Sequence, residues 1–305
     1  MGDGMSVYKE VSNAYQSALV LPFDEYDNFV LMSDCHRGDG RWNDNFSDNQ
    51  NVFFAALNYY YSNGYTYIEL GDGDDLWENR KMETIVDTYS NCFWILSKFY
   101  EENRFYMIYG NHDMVKKYNH FIIQKCSEQY DLQKELCVPI FPNIKIQESI
   151  LLKHRKNGME LLLLHGHQGD FLNDTMWKLS RFLVRYIWSP LEVMGFHDPT
   201  SAARNHMKRI QTEKKLSEWS QDNGKFLICG HTHRPIYPQI GQPLYFNDGS
   251  CVHPRCITAI EITYGNISLV KWHVSTRFDN SLYVTRETLE GPTPLEKFYE
   301  HKPTL

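Results

Sequence analysis

Apolar and β-prone residues gather in short runs along the chain: "NFVLMSD" at 28–34, "YTYIELGD" at 65–72, "RFYMIYGN" at 104–111, "ELLLLHG" at 160–166 and "KFLICGH" at 225–231. Short continuous apolar runs of this kind predict buried strands. Between the second and third runs, Met82, Ile85, Val86, Tyr89, Phe93, Leu96 and Phe99 return at three- and four-residue steps, which predicts an amphipathic helix within 78–102. A second helix is predicted over "NVFFAALNYYYSN" at 51–63. Strand, helix, strand, helix, strand means a sheet with helices packed against it. Later, "PLYFNDGS" at 243–250 and "CITAIEITYGNISLVKWHV" at 256–274 predict more strands, the last two joined by a hairpin turn at "YGN". Three segments fall outside this order. They are read as an N-terminal extension (1–27), a helical insertion (about 171–223) and a C-terminal tail (276–305) around a domain spanning 28–275.

Composition narrows the class. With 42% hydrophobic and 23% charged residues among 305, the chain is a folded globular protein, large enough for one α/β unit with insertions. A net charge of -7 offers no basic face for phosphate backbones, so no nucleic-acid partner is expected. Seven cysteines, Cys35, Cys92, Cys126, Cys137, Cys229, Cys251 and Cys256, are scattered without a C-x-x-C spacing, which fits reduced thiols. The N-terminus carries no apolar targeting core, and no stretch reaches the roughly 18 apolar residues of a membrane span. A cytoplasmic location is expected.

All five early runs end in polar residues: Asp34 and His36, Asp72 to Asp75, Asn111 to Asp113, His165 and His167, and His231 and His233. Ligands bind beyond the carboxyl ends of strands in open α/β sheets, so these ends describe one site. Asp34 and His36, two apart at a strand end, are expected on the same side. They form either a hydrogen-bonded pair or part of a metal shell. Aspartate, histidine and asparagine without thiolate suit manganese, iron or zinc. Two carboxylates leave two divalent cations under-neutralised, and such a site attracts anionic phosphate.

The ordered set D-x-H, G-D-x-x-D, G-N-H-D, H-G and G-H-x-H resembles the calcineurin-like metallophosphoesterases over about residues 28–250. The resemblance implies a four-layer α/β/β/α metallophosphoesterase sandwich with a helical insertion. It also implies hydrolysis of phosphoester bonds by a hydroxide bridging two divalent metal ions, manganese first, with iron or zinc as alternatives. Asp34, His36 and His233 would hold one ion, Asn111, His165 and His231 the other, and Asp72 both. His112, oriented by Asp113 and next to Asn111, would stabilise the transition state or protonate the leaving oxygen. Arg37 is expected to pair with a substrate phosphate, and His167 to back His165 or touch substrate. Asp74 is read as a solvated neighbour of the bridging carboxylate.

In the insertion, Trp177, Phe182, Leu183, Tyr186, Ile187 and Trp188 interleave with Lys178, Arg181 and Arg185. A cap over the site, a helix in weak contact with a membrane surface, and ordinary core packing are the three readings. A cap would suit a phosphorylated small-molecule or lipid-linked substrate. In this it is similar to the UDP-2,3-diacylglucosamine pyrophosphatases, which commonly carry Arg where this chain has His112. Phosphodiesters or pyrophosphates are preferred as substrates. The alternatives are a phosphomonoesterase or protein serine-threonine phosphatase, a lipid enzyme of the pyrophosphatase kind, and a catalytically silent scaffold. All seven ligand positions are filled, which weighs against the scaffold. The oligomeric state stays open.

Overall fold

The computed structural model describes residues 2–118, 121, 128–131, 135–169, 181–184, 186 and 206–303. Its strands are β1 (Leu19–Phe23), β2 (Phe29–Met32), β3 (Thr66–Leu70), β4 (Phe105–Ile108), β5 (Glu128–Asp131), β6 (Leu136–Pro139), β7 (Ser149–His154), β8 (Glu160–Leu164), β9 (Phe226–Cys229), β10 (Tyr245–Asn247), β11 (Cys256–Thr263), β12 (Asn266–Thr276) and β13 (Leu282–Pro294). Its helices are α1 (Gly2–Ser17), α2 (Gln50–Ser62), α3 (Met82–Thr88), α4 (Ser90–Glu101), α5 (His206–Asn223) and α6 (Leu295–Glu300).

The five apolar runs divide between two sheets. One has the order β13-β12-β11-β2-β3-β4, the other β1-β7-β8-β9-β10. β2, β3 and β4 run parallel, as do β8 and β9. Alternate side chains explain why these runs are apolar throughout. Leu31, Ile68, Leu161 and Leu163 face the core between the sheets, whereas Val30, Met32 and Tyr67 pack under α2, α3 and α4, and Leu162 and Leu164 under α1 and α5. Each leucine so enclosed contributes roughly 1.5–3 kcal/mol. The result is the α/β/β/α sandwich.

Both terminal segments belong to these layers, which corrects their reading as extension and tail. Val7, Val11 and Ala14 share one face of α1 and close over Leu151, Leu162 and Trp219, while β1 pairs in parallel with β7. At the other end β13 pairs with β12, and α6 places Leu295 and Phe298 in the core between the sheets. The single helix expected within 78–102 is two, because Tyr89 leaves the helical region (φ -110, ψ 35) and donates its hydroxyl to Asp44. The β11–β12 hairpin turns at Tyr264 and Gly265, both at positive φ (49 and 71), as expected from "YGN".

Much of the insertion, including Trp177, Lys178, Arg185, Ile187 and Trp188, lies outside the described residues. Its end is α5, whose Leu216 and Trp219 are buried against the second sheet, so that portion is a sandwich layer and not a cap. None of the described helices is long and apolar enough to cross a membrane.

Candidate metal centre

Past the ends of β2 and β3 the backbone leaves the sheet but keeps its pairing. The N–H groups of Asp34, His36 and Arg37 donate to the carbonyls of Gly71, Asp72 and Gly73 at 3.1, 2.8 and 3.0 Å, and that of Asp75 donates to Arg37 at 3.0 Å. Within this lacing Asp34, His36 and Asp72 take positive φ (50, 47 and 50), as do His231 and His233 past β9 (66 and 52). Each such residue costs on the order of 1 kcal/mol. Asp34 and His36 therefore converge through left-handed turns, not through the strand alternation expected for them.

The donors form two groups that meet at Asp72. In one, His233 Nε2 lies 3.0 Å from Asp34 Oδ1 and 3.3 Å from His36 Nε2. In the other, His165 Nε2 lies 3.3 Å from Asp72 Oδ2, with His231 completing the group. Asp72 Oδ2 is also 3.8 Å from His36 Nε2, which joins the groups. Asn111 is brought in by its neighbour His112, whose backbone N–H donates to Asp72 Oδ1 at 2.8 Å. Asn111 Oδ1 is buried with no hydrogen-bond partner, at a cost of about 1–3 kcal/mol, and the buried Asp34 Oδ1 and His165 Nε2 face only other donors of the centre. All three are lone-pair donors, and His165 is fixed as one because its Nδ1–H donates to the Leu70 carbonyl at 2.8 Å. This donor set fits divalent cations.

The charges are mutually adjusted. Burial works to raise the Asp34 carboxyl, yet His233 and His165 hold it well below the usual carboxylate range. Burial works against charge on His165, but Asp72 and Asp34 outweigh it and favour a positive charge at Nε2, the place a cation would take in exchange for a proton. His231 is driven well down, by burial first and by His165 second. Beneath the site, Asp34 Oδ2 accepts from the His231 N–H at 2.8 Å, and the Ser33 hydroxyl bridges it to Asp248 Oδ1 at 2.8 Å. Gly110 has no alternative, since a Cβ there would stand 2.1 Å from Asp72 Oδ1.

His112 stands at the edge of the centre, its ring stacked on Trp77 (4.2 Å between centroids, 19°) and edge-on to His36 (4.5 Å, 83°). Its Nδ1 meets Asp75 Oδ1 at 3.1 Å. Asp113 does not orient it, a correction. That carboxylate accepts the Gly110 N–H at 2.7 Å and the Lys116 ammonium at 2.8 Å, so it shapes the turn instead. Burial opposes a charge on His112, but Asp72 and Asp75 prevail and raise its pKa to about 9.

Arg37 is also corrected. Its guanidinium is fully buried and spent on Glu69 (2.8 and 2.9 Å) and Asp74 (2.7 Å), so it cannot meet a substrate. Asp74 is not solvated but 0% exposed, held between Arg37 and Lys116. His167 is 1% exposed, its ring 5.5 Å from that of His165. The sequence reading gave no role to Asp75 and missed Trp77. The second acid of G-D-x-x-D was the available signal for Asp75; nothing marked Trp77.

Residues 28–235 match the family model of the calcineurin-like phosphoesterases. Among solved structures, a conserved protein of Streptococcus pneumoniae TIGR4, described as a predicted phosphoesterase, is 14% identical, with 86% of this chain and 97% of that one covered and a TM-score of 0.36. Vps29 of Chaetomium thermophilum is 10% identical over 88% of this chain and 97% of its own, with a TM-score of 0.38. No curated protein matches the chain.

Proposed function

Because the chain belongs to the calcineurin-like phosphoesterase family, we propose that it hydrolyses phosphodiester or pyrophosphate bonds with the help of two divalent cations, manganese first. The observation that carries this reading is the pair of donor groups, Asp34/His36/His233 and Asp72/His165/His231, meeting at Asp72. Asn111 would complete the second group. Cations bound there would supply a water of lowered pKa and a clamp on the phosphoryl oxygens.

The remaining work falls to His112. With Nδ1–H given to Asp75, Nε2 is the nitrogen left to face a substrate. Held by Asp75 and protonated on Nε2, the ring could pass a proton to a departing oxygen. Poor leaving groups gain most from that donation, which favours diesters with alkoxide leaving groups. A cavity of about 340 Å³ is lined by Leu76, Asn79 and Arg80, which flank Trp77, and by Val115, Phe121, Arg181 and Tyr186. Its guanidinium and aromatic walls support a phosphorylated small-molecule or lipid-linked substrate with an apolar part. Cys35, Cys92, Cys229, Cys251 and Cys256 are free thiols, which supports a reducing compartment such as the cytoplasm.

The test is turnover of bis-p-nitrophenyl phosphate after chelation and re-addition of Mn2+. Activity should vanish with the chelator and return with the metal. His112→Ala should cost about 100-fold or more on an alkyl diester and less on the nitrophenyl one. A protein that binds Mn2+, iron or zinc and turns over none of these esters would favour the scaffold reading.

A further inference from the structure

Five charged side chains lie beneath the metal centre with almost no exposure: Arg37, Glu69, Asp74 and Asp113 at 0% and Lys116 at 1%. They form one chain of contacts. Glu69 grips Arg37 bidentately, Arg37 Nε reaches Asp74 Oδ1 at 2.7 Å, Asp74 Oδ2 meets Lys116 Nζ at 2.6 Å, and Lys116 continues to Asp113 Oδ2 at 2.8 Å. Phe93 packs against the guanidinium at 5.2 Å, and the Tyr67 hydroxyl donates to Glu69 at 3.2 Å. Three carboxylates against two cations leave one surplus negative charge in a place closed to water.

Stability does not explain such a chain. Desolvating five charges costs about as much as their attraction returns, and well-packed apolar residues often do as well or better. Its path is informative. Arg37 lies one residue beyond His36, Asp74 two beyond Asp72, and Asp113 two beyond Asn111. Main-chain bonds already lace 34–37 to 71–75. The tie from 71–75 to 110–116 runs through side chains, and Lys116 is the cation shared by Asp74 and Asp113.

We infer that Arg37 and Lys116 are positioning residues: the buried chain of charges sets the spacing of the three loops that carry Asp34/His36, Asp72/Asp75 and Asn111/His112, and so the separation of the two cations. This rests on the proposed two-metal hydrolase. Rigid, directional ion pairs can hold three loops at fixed distances where apolar contacts would let them slide. The surplus negative charge also favours cations above it.

The double variant Lys116→Met with Asp74→Asn cuts the chain between the second and third loops without changing net charge. Mn2+ titration followed by electron paramagnetic resonance should show a second site weakened about tenfold or more and loss of the exchange-coupled two-manganese signal. On bis-p-nitrophenyl phosphate kcat should fall about tenfold or more with KM within about twofold, and Lys116→Arg, which can still bridge both carboxylates, should retain most of both properties. Should the double variant not fold, Asp74→Asn alone weakens the same tie to Lys116 and is read by the same titration and kinetics. A folded variant with a lowered melting temperature but unchanged Mn2+ affinity, coupling and kcat overturns the inference. Wild-type protein that binds a coupled manganese pair yet turns over no ester overturns the hydrolase reading instead, and the Mn2+ titrations of the variants still decide the positioning role.

Discussion

Asp75 and Asp113 are both acids close to the turn that carries His112, yet only Asp75 reaches the ring. Asp75→Asn keeps the shape and weakens the hold on Nδ1–H. Steady-state kinetics on an alkyl diester should show kcat lowered about 10–100-fold with Mn2+ stoichiometry unchanged; an unaltered kcat would remove Asp75 from the mechanism. The residues that converge at the centre were readable from sequence because residue type, glycine spacing and order are local properties. Roles that depend on burial were not. Arg37, Asp74 and Asp113 sit in polar, glycine-rich stretches that look the same whether the side chain meets water or Lys116. The positive φ of Asp34 and His36 was equally hidden, since nothing in D-x-H distinguishes a strand end from a left-handed turn.

At the scale of elements, β2, β3, β4, β8 and β9 were legible because strands apolar on both faces leave an unbroken run. β1 and β13 were not. β1 is a half-exposed edge strand containing Pro22, and β13 is a charged edge strand. α1 shows few apolar residues, and its attachment depends on polar contacts as well. Tyr15 donates to Glu160 Oε2 at 2.7 Å, and Lys225, the residue before β9, pairs with the same oxygen. Burial alone would raise the Glu160 carboxyl, but its bonds from Lys225 and Tyr15 bring it down to about 2. A pKa lowered by folding gives stability that is complete above the unfolded value near 4.3 and is lost as pH falls towards 2. Urea denaturation should therefore find Glu160→Gln about 1 kcal/mol less stable at pH 7, with the difference closing between about pH 4.5 and 2. Parallel pH profiles for the two proteins would show that this contact does not hold α1 to the sheet.

On the scale of the whole molecule, the fold brings the carboxyl ends of strands from two different sheets to a common point. β2, β3 and β4 deliver Asp34, His36, Asp72 and Asn111, and β8 and β9 deliver His165, His231 and His233. One sheet alone would supply an incomplete set. The apolar core between the layers, with Leu31, Ile68, Leu161 and Ile228 at its centre, holds the two edges together, so the site depends on packing far from it. The most direct measurement is an anomalous difference map from manganese-soaked crystals. Two peaks about 3.5–4 Å apart, with Asp72 between them and His233 and His165 on opposite sides, are the expected result. A single peak, or none among these residues at saturating manganese, would contradict it.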